Sequence, residues 1–166
     1  MSSFNRRTLL TLPLALPAVL AACGFTPAYG PAGPAQGLQG RIRAADPGDK
    51  NGFGFVTAIE ARFGRSKDPR YALAYAITTE AVGVGFATDT TITRYNLKGR
   101  VDWSLTDTES DTRIAGGTAE NFTSWSATSA TVAAVAAEQD AAKRLMVILA
   151  DQIAAEILAA SVRFTP

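Results

Sequence analysis

The 166-residue sequence holds one thiol, Cys23, and no histidine. A lone cysteine excludes an intrachain disulfide and a cysteine-rich metal site. The absence of histidine removes the commonest general base and the commonest metal ligand together. Carboxylates, lysines and tyrosines remain chemically competent, but arrangements built on a histidine base do not. The other candidates are weaker. Asp107, Glu109 and Asp111 form an Asp-x-Glu-x-Asp run that lacks the glycine and closing glutamate of an EF-hand loop, so a solvated hairpin tip is expected. Gly52-Phe53-Gly54 and Gly83-Val84-Gly85 lack the further residues of a phosphate cradle and are expected to be a helix start and a bend between strands. Asn121-Phe122-Thr123 matches a glycosylation sequon, read as a chance match. The hydroxyls of residues 123–131 have no base partner, and no Ser-x-x-Lys occurs anywhere. Arg94, Lys98 and Arg100 are the one constellation that period alone assembles. Strand spacing puts all three on one face, where they suit the phosphates or carboxylates of an anionic amphiphile. A solvated sheet face explains them as well, since Asp102 shares it.

The surroundings of Cys23 give its thiol a use. Arg6 and Arg7 precede an apolar run from Leu9 to Leu20, which is too short to span a bilayer but fits the apolar region of a secretory signal. Leu20-Ala21-Ala22-Cys23 resembles the lipobox of bacterial lipoproteins. That resemblance implies cleavage between Ala22 and Cys23, a diacylglycerol on the thiol and a palmitate-type chain on the new amine. Several acyl chains anchor stably where one does not. Gly24 after the cysteine favours the outer membrane. Both ordinary secretion and the twin-arginine route fit the leader. Residues 23–37, rich in proline and glycine, are expected to be a lipidated tether.

Residues 38–166 are long enough for one domain. Of the whole sequence, 47% is apolar and 19% charged, as in folded soluble domains. Without the leader, fourteen basic residues face fifteen acidic ones, so there is no electrostatic footprint for nucleic acid. A first strand is predicted over 38–44 and a turn over 46–49. A helix follows over 51–63, capped by Asp49 or Asn51 and closed by Gly64. Residues 71–82 alternate Tyr71, Leu73, Tyr75 and Ile77 with alanines, which predicts an interior strand. Residues 94–105 alternate Tyr95, Leu97, Gly99, Val101, Trp103 and Leu105 with polar residues, which predicts a strand with one wet face. Residues 106–112 form a polar tip, and 113–125 return as a strand. A helix is predicted over 131–160, with Leu145, Leu149, Ile153 and Ile157 on one stripe and an Asp140–Arg144 pair. The order is β-α-β-β-β-α. It predicts an α/β (α+β) two-layer sandwich, with two helices on one face of a small mixed sheet of about four strands.

Several segments together resemble the LptE family of lipopolysaccharide-assembly lipoproteins, formerly rare lipoprotein B. They are Cys23-Gly24-Phe25-Thr26-Pro27-Ala28-Tyr29-Gly30, the stretch Thr93-Arg94-Tyr95-Asn96-Leu97-Lys98-Gly99-Arg100-Val101, the Gly116-Gly117 strand leading to Phe122-Thr123-Ser124-Trp125, and Ala137-Glu138-Gln139-Asp140 in the long helix. The resemblance covers nearly all of the chain after the leader. It implies a non-enzymatic lipoprotein on the periplasmic side of the outer membrane, without cofactor or metal. Such a protein binds, plugs and helps to assemble the LptD β-barrel and assists lipopolysaccharide delivery. Two other readings stay open: an accessory lipoprotein of a different envelope lipid-transport complex, and an envelope hydrolase using carboxylates alone.

Overall fold

The computed structural model describes residues 30, 33, 35–88, 91–127 and 130–164. The leader, Cys23 and most of the expected tether lie outside the described residues. A short strand β1 (Ile42–Ala44) leads to helix α1 (Lys50–Phe63), three long strands β2 (Tyr71–Phe86), β3 (Ile92–Asp107) and β4 (Thr112–Ser126), and helix α2 (Thr131–Ser161). The sheet order is β1-β2-β3-β4, with β1 parallel to β2 and the other pairs antiparallel. This is the expected mixed sheet and element order.

Local chemistry explains the boundaries. The extended Asp49 accepts a hydrogen bond from the Gly52 amide at 2.6 Å, so an orphan donor of the first turn of α1 is satisfied. Gly64 at φ +76° ends that helix. The first strand is shorter than its alternation predicts. Gly40 sits at φ +69°, a conformation no strand residue takes, and residues 35–41 fold as turns instead. Leu38 is still fully buried, but from a turn rather than a strand.

Both helices lie against one face of the sheet. Tyr71, Leu73, Val101, Trp103, Leu105 and Ala119 are buried there against Phe55, Ile59, Leu145, Leu149, Ile153 and Ile157. Each large apolar side chain removed from water contributes about 1.5–3 kcal/mol. Gly99 lets α2 approach closely: a Cβ at that position would stand 2.8 Å from Leu145 Cδ2 and 3.0 Å from Leu149 Cδ1. Polar ties fix the layers in register. Arg62 on α1 forms a two-pronged ion pair with Asp151 on α2, at 2.6 and 2.7 Å. The Trp103 indole donates to Glu156 at 3.1 Å, and the buried Thr123 hydroxyl donates to the Ala141 carbonyl at 2.9 Å.

Among the described residues, no layer covers the opposite face. β2 is interior in strand order, as expected, and Ala72, Ala74 and Ala76 are exposed on this face. Their methyl groups are small enough to leave in water at little cost.

Candidate functional site

The uncovered face collects the even-numbered residues of β2, β3 and β4. Its charged members include Glu80, Arg94, Lys98, Arg100, Asp102 and Glu120 and, past the register shift at Leu105/Thr106, Arg113. Arg94, Lys98 and Arg100 are all exposed there, as their spacing predicts. Their electrostatic situations differ. Arg100 donates to both Asp102 oxygens at 3.1 and 2.8 Å, and to Glu120 at 2.6 Å. Thr118 donates a further hydrogen bond to Asp102. The Arg100 hydrogen bonds, and then that from Thr118, hold the Asp102 carboxyl below the usual aspartate range. Arg100 is raised in turn, first by its bond to Asp102 and then by Glu120. Its charge is therefore already matched by two carboxylates.

Arg94 and Lys98 have no ion pair to a described residue. Lys98 stands across the ladder from Glu80 on one side and Phe122 on the other. With Thr78, Glu80, Arg100, Glu120, Asn121 and Phe122 it borders a shallow concavity of about 470 Å³. Phe122 is 59% exposed. A cation beside an exposed ring suits an amphiphile with an anionic head and an apolar body.

The acidic run at the hairpin resolves into different roles. The tip is the tight turn 108–111, and Asp107 is not a solvated tip residue but the buried last residue of β3. Its carboxylate accepts from the Glu109 amide at 2.9 Å and from Arg70 at 3.3 Å, so Asp107 latches the hairpin to the segment before β2. The Glu109 amide and then Arg70 hold the Asp107 carboxyl below its usual range. Among the described residues, no cluster of three or more acidic, histidine or cysteine side chains could hold a metal. The glycine fragments are structural too. Gly52 and Gly54 lie inside the first turns of α1, and Gly83 and Gly85 sit at register shifts within β2 rather than between strands. In the Asn121-Phe122-Thr123 stretch, the Asn121 side chain accepts from the Phe122 amide, and Thr123 is buried.

Sequence reasoning missed the Asp107–Arg70 latch and the pairing of Arg100 with its neighbours. The first gave no local signal, because the partners are 37 residues apart. The second was visible in principle: Arg100 and Asp102 are two apart on a strand, and therefore share a face.

No helix among the described residues is long and apolar enough to cross a membrane. No curated protein matches the chain. Solved structures do. A lipoprotein from Caulobacter crescentus superposes with a TM-score of 0.68 at 20% identity, covering 81% of this chain and 99% of that one. Rare lipoprotein B from Shewanella oneidensis gives 0.59 at 11% identity, covering 76% and 98%. Lipoprotein B from Nitrosomonas europaea gives 0.57 at 16% identity, covering 84% and 94%. At these identities the likeness establishes the fold. Residues 39–157 match the LptE family, described as lipopolysaccharide-assembly. That match spans the helices, the sheet and the uncovered face, and the chain belongs to the LptE family.

Proposed function

We propose that this chain is a lipid-anchored, non-enzymatic subunit of the outer-membrane lipopolysaccharide translocon. It binds and plugs an LptD-type β-barrel, supports its assembly, and contacts lipopolysaccharide on the way to the outer leaflet. The observation that carries this reading is the family match over residues 39–157. The two-layer fold with one bare sheet face agrees with it. A barrel lumen is lined by polar side chains, and a wet, charge-balanced sheet face is compatible with such a wall. Residues 1–22 act as the signal, Ala22-Cys23 is the cleavage point, and acyl chains on Cys23 hold the domain at the periplasmic side of the outer membrane. The part of residues 23–37 that precedes the buried Ala35 spans the gap between leaflet and domain. Arg94 and Lys98 contact the lipid phosphates. Arg100, already matched by Asp102 and Glu120, orders the surface around them.

Affinity purification of the full-length chain from detergent-solubilised envelopes tests the reading. Recovery of a large outer-membrane barrel, together with a mature chain acylated at Cys23, is the expected result. Recovery of an inner-membrane transporter without a barrel assigns the chain to another lipid-transport machine. An unprocessed chain in the cytosol refutes the anchoring.

A further inference from the structure

The concavity on the uncovered sheet face is lined unlike a hydrocarbon site. Among the residues that border it, Phe122 is the one large apolar side chain, and the other side chains are polar or charged. An acyl chain laid there would take those groups out of water and return no hydrogen bond, at a cost for each. A ligand that fits must carry a small apolar patch inside a rim of hydrogen-bonding groups.

The side chains are arranged for such a ligand. Glu80, Lys98 and Phe122 stand side by side across the three strands, and Thr78, Arg100 and Glu120 form the next row. None of the ring–ring or cation–ring contacts among the described residues involves Phe122, so its ring is open to a flat apolar partner. Lys98 is next to the ring, placed for an anionic substituent. The carboxylates of Glu80 and Glu120 repel a bare polyanion but accept hydrogen bonds from hydroxyls. The match is therefore to a polyol that carries a phosphate. A sugar ring has that make-up, with C–H groups on one face and hydroxyls around its edge. The negative face of an aromatic ring attracts such C–H groups. The volume of about 470 Å³ lies within the roughly 300–1,000 Å³ of small-molecule sites.

We infer that this concavity reads the phosphorylated sugar headgroup of lipopolysaccharide, with one ring stacked on Phe122 and a phosphate on Lys98, and leaves the acyl chains to other surroundings. The inference rests on the proposed function and deepens it. Charge alone does not tell a sugar phosphate from any other anionic lipid, and Phe122 supplies that distinction.

The test uses the purified full-length chain in detergent, with lipopolysaccharide stripped of its acyl chains as the probe. The probe should compete with intact lipopolysaccharide, and phosphatidic acid, an anionic lipid without sugar, should not. Phe122→Ala should weaken probe binding about tenfold, the worth of one stacked ring, and Phe122→Trp should retain it. Phe53→Ala, which removes a similarly exposed ring from helix α1, should leave binding unchanged. In the parent chain the probe should shift the NMR resonances of the Phe122 ring and not those of Phe53, a reading that needs no variant to fold. Binding indifferent to Phe122→Ala in a folded variant, an unshifted Phe122 ring, or equal competition by phosphatidic acid each overturn the inference. So does glucosamine 1-phosphate binding as tightly as the probe, which assigns the site to a soluble sugar phosphate. If intact lipopolysaccharide binds and the probe does not compete, the headgroup assignment fails while the proposed function stands. If the probe binds through Phe122 but affinity purification recovers no barrel, the site stands while the proposed function fails.

Discussion

The two faces of this sheet are built from the same three strands, residue by residue in alternation, yet they do different physical work. On the helix side, Leu105, Val101, Leu149 and Ile153 are completely buried, and the Trp103 indole and the Thr123 hydroxyl are tied to partners. On the other side, charges sit in water: Arg100 is matched by Asp102 and Glu120, while Arg94 and Lys98 have no ion pair to a described residue. The difference teaches where sequence change should be felt as lost stability and where as lost recognition. Burial is set by volume, and exposed charge contributes little to folding.

The largest expected effect comes from emptying the helix side. Leu105→Ala or Leu149→Ala should lower unfolding free energy by about 2–5 kcal/mol, read from denaturant midpoints. A loss below 0.5 kcal/mol would mean that the helices are not clamped on the sheet. Overfilling is next. Gly99→Ala inserts a methyl between β3 and two α2 leucines whose side-chain ends can shift, and should cost about 1–3 kcal/mol. If Gly99→Ala is neutral by the same measurement, α2 stands off the sheet.

Acid sensitivity sharpens the comparison at its margin. The folded state depresses the Asp107 carboxyl, so its contribution is present above the unfolded aspartate value of about 3.9. It is lost as pH falls through the folded value. Asp107→Asn should therefore lower the melting temperature at neutral pH and flatten its fall below about pH 4. A variant whose acid limb parallels the parent's would remove Asp107 from the account. The smallest effect on stability belongs to the bare face: Lys98→Glu should change unfolding free energy by no more than about 0.5 kcal/mol.

Alternation made most of this legible in the sequence. Tyr95 to Leu105 names the buried face of β3, and the Leu145–Ile157 stripe names the buried side of α2. Arg94, Lys98 and Arg100 were placed on the wet face by the same period. Two things were not legible. Alternation counts large and small residues without saying whether a small-residue face is covered; among the described residues, nothing covers the alanines of β2. Pairings across long separations, such as Arg70 with Asp107 or Arg62 with Asp151, leave no trace in local pattern. The contrast between Arg100 and its two neighbours needed coordinates, because it depends on Glu120 reaching across from the next strand.

One comparison bears most directly on the division of labour between the faces. Lipopolysaccharide binding and thermal stability are measured on the same preparations of the parent domain and of Arg94→Glu/Lys98→Glu. We expect the melting temperature to hold while binding falls by at least about tenfold, the loss of two charge-assisted contacts. Undiminished binding, or binding lost only in step with the fold, would contradict it.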